Sequence, residues 1–231
     1  MTNLLQSLQK RRAQIFGAEP RVVRRLGRLW LIDPSDLLDL RLWAYRDVEP
    51  EARGKLIDLA RRAEATRFFD IGANAGTYSV ILAGEAPGLE RVDAFEPARA
   101  TNARLTANIW MNGLTQKITP HRMALGAEAG ELEFFMPVGI SGGATLAAEV
   151  AEKGGGVVSE VVPVRRFDDL FQIEGARLLF KIDVETTEDK VIEGMRAALA
   201  ANRCVLQIEL WPKKIAMITE LLAGLGYAKI G

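Results

Sequence analysis

The chain has 231 residues, enough for one well-buried domain with a small appendage. Thirty Lys and Arg residues balance thirty Asp and Glu residues, so the charge gives no indication of a nucleic-acid partner or an anionic membrane surface. The chain has no run of about eighteen apolar residues and only one cysteine, Cys204; this argues against a transmembrane segment and an intrachain disulfide and favours a cytoplasmic location.

Residues 1–65 precede any repeating pattern and are predicted to form an N-terminal extension. Leucines at helical spacing predict a short amphipathic helix over residues 2–16, and residues 21–32 are typical of two short strands. Residues 37–45 are apolar and fit either a strand or a helix. Pro50 suits the first turn of a helix that ends near residue 63. This extension is expected to form a lid or a contact surface.

From Arg67 onward, strands and helices alternate. The predicted strands are residues 68–71, 91–95, 118–124, 131–136, 160–164, 178–184, 203–210 and 227–230. The predicted helices are residues 76–86, 98–111, 189–201 and 213–225. This order predicts an α/β fold whose domain, residues 66–231, is built on a doubly wound, mostly parallel sheet.

Acidic residues mark the ends of the parallel strands. Ligands on such a sheet bind at the carboxyl ends of the strands. Asp70, Glu96, Asp183 and Glu209 each stand at such an end, and Glu185 follows shortly after Asp183. We therefore expect the functional site at this edge of the sheet.

The turn after the first of these strands is rich in glycine but does not match a dinucleotide fingerprint. That fingerprint needs three glycines in the pattern G-x-G-x-x-G. Counted from Gly72, the second glycine slot holds Asn74 and the third holds Thr77. A Gly-Lys-Ser/Thr phosphate loop is also absent from this turn. An NAD-dependent oxidoreductase is therefore disfavoured.

Two carboxylates favour a different nucleoside. Glu96, at the end of the second strand, can accept two hydrogen bonds from a ribose diol. Asp70, just before the turn, faces a cationic group better than a phosphate. S-adenosylmethionine combines a ribose with a positively charged amino-acid tail, so it is the predicted cofactor.

Several ordered segments carry a resemblance to a known family. They are Asp70-Ile-Gly-Ala-Asn-Ala-Gly-Thr-Tyr-Ser79, Ala94-Phe-Glu-Pro97, Asn112-Gly113, Phe167-Asp-Asp-Leu170 and Lys181-Ile-Asp-Val-Glu185. With these segments the chain resembles the FkbM-type S-adenosylmethionine-dependent methyltransferases over about residues 66–210. The resemblance implies the Rossmann-like class I methyltransferase sheet. It also implies methyl transfer, usually to a hydroxyl of a small-molecule or glycan acceptor.

The resemblance assigns expected roles to individual residues. Asp70, Gly72, Asn74 and Gly76 look like the turn that binds the methionine part of the cofactor. Glu96 looks like the ribose ligand, and Pro97, Met123 and Ala124 look like neighbours of the adenine. Asp183 and Glu185 look like the pair that faces the sulfonium and the acceptor.

Two departures from the family pattern keep an alternative open. Thr186 and Thr187 stand where the family commonly has Gly followed by an aromatic residue or His, and a β-branched residue is strained if that turn needs a positive φ. The C-terminal part has room for only one of the two antiparallel strands that usually close the family sheet. The alternative is a catalytically silent S-adenosylmethionine-binding module or partner subunit. A homo-oligomer through the C-terminal sheet edge or the N-terminal extension is also possible on this pattern.

Three carboxylates are candidates for the general base that a hydroxyl acceptor needs. Asp183 is the first candidate, followed by Glu185 and Glu188. Glu188 fits equally well as a residue of a first helical turn, where the dipole favours a negative charge. His121 is more often a strand residue with a satisfied ring than a catalyst. No His and Asp spacing indicates a metal site, so no metal is predicted.

Overall fold

The structure is a computed structural model that describes residues 19–44, 49–137, 141 and 157–230. The predicted helix at residues 2–16 and most of the glycine-rich segment 137–156 lie outside these residues. Within them, no helix is long and apolar enough to cross a membrane.

The described part of the extension contains a hairpin and two helices. Strands β1 (Arg21–Arg25) and β2 (Arg28–Ile32) pair antiparallel, as the sequence predicts. The ambiguous apolar segment forms helix α1 (Leu37–Ala44). Helix α2 (Pro50–Arg62) begins at its proline, because the missing N–H of proline is not needed in a first turn.

Five parallel strands form the main sheet in the order β10-β9-β3-β4-β5. Their bounds are β3 Arg67–Ile71, β4 Arg91–Phe95, β5 Ile118–His121, β9 Arg177–Ile182 and β10 Arg203–Ile208. Strands β4 and β5 lie on one side of β3, whereas β9 and β10 lie on its other side. The strand order therefore reverses beside β3. The predicted doubly wound sheet is confirmed.

Helices connect these strands. Their bounds are α3 Thr77–Glu85, α4 Arg99–Met111, α5 Phe167–Leu170, α6 Glu188–Gly194, α7 Arg196–Ala201 and α8 Ile215–Gly224, the last preceded by a 3₁₀ turn at Pro212–Lys214. The single helix predicted over residues 189–201 is two helices, because Met195 leaves the helical conformation with φ −122°. Helix α4 ends at Met111, and Asn112 and Gly113 follow, the latter with φ +67°, as expected of a helix stop.

A second, three-stranded sheet corrects the prediction for residues 118–124. It contains β6 (Ala124–Leu125), β8 (Val157–Arg165) and β7 (Gly130–Pro137), in that order. The main-sheet strand stops at His121 because its partner β4 ends opposite it at Phe95. Ala124 pairs with Val164 of the small sheet instead.

The strand predicted at residues 227–230 is wrong, because these residues form no strand. The Tyr227 hydroxyl donates to the Leu199 carbonyl oxygen at 2.8 Å, so this segment packs toward helix α7. Strand β10 consequently has no strand on its outer side within the described residues. An oligomer through this edge stays a prediction.

Apolar clusters cover both faces of the main sheet. One contains Phe68, and the other contains Phe69, as expected of adjacent residues on a strand that is buried on both faces. Trp30 of the hairpin and Leu56 of α2 are fully buried in the first cluster. The described extension therefore shares a core with the sheet.

The end of β3 approaches the end of β9 very closely at Gly72. Its φ is +85°, and a Cβ there would lie 1.8 Å from the carbonyl oxygen of Asp183. Both the backbone conformation and the contact thus require glycine.

We expect Gly72→Ala to lower the free energy of unfolding by about 3 kcal/mol or more, because the added methyl meets rigid backbone. Gly113→Ala is the matched control: its φ is also positive at +67°, but a Cβ there meets nothing within 4 Å. It should cost about 1 kcal/mol. Urea denaturation measures both variants, and equal losses would contradict the close approach.

Candidate active site

A cavity of about 370 Å³ lies at the carboxyl ends of β3, β4, β9 and β10. This is the edge where the sequence predicts the site. The predicted site residues that line it are Gly72, Asn74, Glu96, Pro97, Met123, Ala124, Asp183 and Glu185. The volume falls in the range of pockets that hold small molecules, about 300–1,000 Å³.

The glycine turn is folded over the end of β4. The N–H groups of Gly72 and Ala73 both donate to the carbonyl oxygen of Phe95, at 3.0 and 2.8 Å. Asn74 adopts φ +50°, a left-handed conformation that asparagine tolerates well. Its N–H points to Glu96. The turn and the end of β4 thereby form one rigid wall of the cavity.

Glu96 is held by two backbone donors. The Asn74 N–H donates to its Oε2 at 3.0 Å, and the Ala98 N–H donates to its Oε1 at 2.9 Å. Burial raises the pKa of Glu96 to about 7. A carboxylate offers about four lone-pair sites, so the group can still accept hydrogen bonds from a diol in the cavity.

Pro97, Met123 and Ala124 line the cavity beside Glu96, together with Phe95 and Leu125. This part of the wall is mainly apolar. Its position beside the candidate ribose ligand suits a flat, weakly polar base. Ala124 reaches it from the small sheet.

Asp70 and Gly76 do not line the cavity. The Ser79 N–H and hydroxyl both donate to Asp70 Oδ2, at 3.0 and 2.6 Å, so Asp70 binds the first turn of α3. Burial raises the pKa of Asp70, and the Lys181 ammonium opposes that rise. Gly76 has φ +89°, and a Cβ there would lie 2.5 Å from Leu105 Cδ1. Both residues lie behind the turn in this structure, and their predicted contact with the cofactor stays a prediction.

The opposite end of the cavity is rich in paired charges. Lys181 Nζ donates to Asp183 Oδ2 at 2.7 Å and lies 4.6 Å from the ring centroid of Tyr78. The Tyr78 hydroxyl donates to Glu49 Oε2 at 2.7 Å. Sequence reasoning assigned no site role to Tyr78 or Glu49. Tyr78 lies inside a matching motif, but no signal near Glu49 indicates that α2 starts at the cavity.

The side chains of Glu185 and Glu188, which both follow β9, point in different directions. Glu185 lines the cavity, and its Oε2 accepts a hydrogen bond from Trp211 Nε1 at 3.2 Å. Glu188 is only 1% exposed and does not line the cavity; its Oε1 accepts the Thr186 N–H at 2.9 Å. Glu188 thus stands at a helix start and holds the turn, and its role as a base stays a prediction.

Helix α1 forms a further wall that the sequence did not predict. Leu38 and Leu42 line the cavity, and Arg104 of α4 holds this helix through Asp39, at 2.6 Å, and Asp36, at 3.3 Å. Asp36 Oδ2 also accepts the Ser141 N–H at 3.1 Å. Ser141 in turn exchanges hydrogen bonds with the Asn74 side chain, at 3.0 and 3.2 Å.

His121 does not line the cavity. Its Nε2 lies 2.9 Å from Asp93 Oδ1, and its ring stacks on Phe95 with centroids 4.5 Å apart. It is a satisfied strand residue. Among the described residues, no group of three or more His, Cys, Asp or Glu side chains has the geometry of a metal site.

The fold and this cavity define a Rossmann-like methyltransferase. A family model described as the methyltransferase FkbM domain matches residues 70–228. The chain belongs to the FkbM methyltransferase family, and its cofactor is S-adenosylmethionine. This confirms the resemblance and argues against the alternative of an NAD-dependent oxidoreductase. A sequence comparison with curated proteins gives no match.

Solved structures show similarity at low identity. M. jannaschii TYW2 in complex with AdoMet has 19% identity and a TM-score of 0.30, with 44% of this chain and 42% of that chain covered. A SAM-dependent methyltransferase from Agrobacterium tumefaciens has 14% identity and a TM-score of 0.48, with 90% and 58% covered. The O-methyltransferase from Bacillus cereus in complex with SAH has 14% identity and a TM-score of 0.36, with 80% and 63% covered. The chain thus spans less than half of TYW2.

The departure at Thr186 carries a measurable strain. Its φ is +86°, which is unfavourable for a β-branched residue. We expect Thr186→Gly to raise the free energy of unfolding by about 1 kcal/mol, as measured by urea denaturation. Thr187→Gly is the control: this residue has φ −114° and donates its hydroxyl to the Val184 carbonyl oxygen, so it should lose about 0.5–1 kcal/mol. A loss at both positions would contradict the strain.

Glu96 should dominate cofactor binding. We expect Glu96→Ala to weaken S-adenosylhomocysteine binding about 30-fold or more in calorimetric titration, because hydrogen bonds to a charged group contribute about 1.5–3 kcal/mol each. Glu90→Ala, an exposed position just before β4, should bind as the wild type does. Circular dichroism checks that the variants are folded. If folded Glu96→Ala binds S-adenosylhomocysteine with unchanged affinity, Glu96 is not the ribose ligand.

Proposed function

We propose that this methyltransferase transfers the methyl group to a hydroxyl of a saccharide or natural-product acceptor. The observation that carries the proposal is the division of the cavity into two ends. Glu96 and an apolar patch form one end, and Asp183, Glu185 and Glu209 stand at the other. A nucleoside fits the first end, and a reaction that releases a proton fits the second.

The cofactor is proposed to lie across the glycine turn. Glu96 would accept hydrogen bonds from the ribose diol, and Pro97, Met123 and Ala124 would contact the adenine. Gly72 and Asn74 would face the methionine end. When bound, the cofactor supplies a methyl group on a positively charged sulfur, and the nearby carboxylates favour that charge. The orphaned buried oxygen Asp70 Oδ1 adds negative potential from behind the turn.

The acceptor is proposed to bind beside Asp183 and Glu185. Methyl transfer between two bound groups depends mainly on their alignment and on exclusion of water. Helix α1 and the start of α2 also line the cavity, which supports both requirements. A neutral hydroxylated molecule suits it, because a second anion would be repelled by the carboxylates.

A catalytically silent cofactor-binding subunit is the second candidate. The observation that favours it is the strained Thr186, which stands where the family commonly has glycine, next to the proposed acceptor position. Both candidates bind the cofactor, so only turnover distinguishes them.

Incubation with methyl-labelled S-adenosylmethionine and pools of glycans and hydroxylated metabolites tests the proposal. We expect label in products that survive mild alkali, since methyl ethers are stable where methyl esters are hydrolysed. Asp183→Ala should reduce the transfer strongly, whereas Glu220→Gln, on the exposed face of α8, should not. Binding of the cofactor without any label transfer would favour the silent subunit, and alkali-labile label would contradict O-methylation of a hydroxyl.

A further inference from the structure

One carboxyl group in the cavity differs from all the others. The acidic side chains that line the cavity are Asp39, Glu49, Glu96, Asp183, Glu185 and Glu209. Asp39 accepts a hydrogen bond from Arg104, Glu49 accepts one from Tyr78, and Glu96 accepts hydrogen bonds from backbone N–H groups. Asp183 accepts one from Lys181, and Glu185 accepts one from Trp211. Within the described chain, the Glu209 carboxyl is the member of this set that accepts none. It is therefore free to exchange a proton.

The backbone holds Glu209 beside the end of β9. Its N–H donates to the Ile182 carbonyl oxygen at 2.9 Å, which continues the pairing of β10 with β9 by one residue. Asp183 is the next residue on β9. The Glu209 side chain is exposed and lines the cavity, so solvent and a bound acceptor can reach it.

The charges that face Glu209 are mostly negative. Asp183 is the strongest influence, and Glu49 at the start of α2 and Glu185 in the turn after β9 add to it, whereas Lys181 opposes them. The Tyr78 hydroxyl, which is bonded to Glu49, also lies at this end of the cavity. Repulsion by Asp183, together with the partial loss of water beside the cavity wall, raises the pKa of Glu209 to about 7. Near neutral pH the group is thus divided between its acid and its carboxylate form.

We propose that Glu209 is the proton acceptor of the transfer reaction and that it loses its own proton when the positively charged cofactor binds. The proposal rests on the proposed O-methylation. In that step the acceptor oxygen forms a bond to the methyl carbon, the carbon–sulfur bond breaks with its electron pair left on sulfur, and the hydroxyl proton moves to the Glu209 carboxylate.

The other carboxyls suit this role less. Asp183 already forms an ion pair with the buried Lys181 ammonium. Glu49 and Glu185 each already accept a side-chain hydrogen bond, from Tyr78 and Trp211 respectively. A base is most effective when its pKa lies near the working pH, which Glu209 satisfies.

Proton release on binding tests the proposal without an acceptor. Calorimetric titrations at pH 7 in buffers of different ionisation enthalpy give the number of protons released. For wild type we expect about 0.4 proton more with S-adenosylmethionine than with S-adenosylhomocysteine, whose sulfur is uncharged, because a group with its pKa at the working pH is half protonated. Glu209→Gln should abolish this difference, and Glu220→Gln should retain it.

The outcomes separate this proposal from the proposed function. If the difference is zero in wild type, or persists in Glu209→Gln, the assignment of Glu209 is overturned. If neither ligand gives heat, the cofactor site itself is wrong, and the assignment is overturned with it. Once an acceptor is labelled, Glu209→Gln should lower kcat about 10²-fold or more and remove the rise of kcat/KM near pH 7, which reports the protonation of Glu209 in the free enzyme. Its KM for the cofactor should change much less.

Discussion

The close approach of backbone at Gly72 is the constraint on which the site depends. The Gly72 and Ala73 N–H groups bind the end of β4, and the Asp183 N–H donates to the Ile71 carbonyl oxygen at 2.9 Å, so three strand ends meet around one residue. Because no Cβ fits at this point, the ends of β4 and β9 lie on either side of the turn at fixed spacing. Glu96 and Asp183 are thereby set at opposite ends of one cavity.

The charged side chains that line the cavity suit the positively charged cofactor that it is proposed to bind. A cationic cofactor reduces the repulsion among carboxylates that would otherwise raise one another's pKa. The protein keeps all but one of the cavity carboxyls described here in hydrogen bonds, and it leaves Glu209 responsive to the charge of its neighbours. On the proposed function, the same cluster stabilises the cofactor and accepts one proton. Lys181, which is buried against Asp183, limits the negative charge at that end.

How far the sequence predicts the fold depends on the element. The strand at residues 67–71 and the helix after it follow from a buried apolar run and a glycine turn, and both were predicted. The strand at 227–230 was not correct, because an apolar pattern does not show whether a neighbouring strand is available to pair. Ala124 likewise changes sheet where β4 ends. In the site, Glu96 lines the cavity, but Glu188 turns away from it because the helix start at α6 buries its side chain.

The sequence by itself determined the parallel α/β sheet, the edge where the cavity forms and the residue types around a nucleoside, since period, turn chemistry and strand ends are local properties. Only the tertiary structure decided which acids share the cavity. Glu49 comes from a helix far from Glu209 in sequence, and its contribution depends on how α2 packs on the sheet. The pKa of Glu209 depends on all such neighbours together. The local sequence does not show which charges folding brings together.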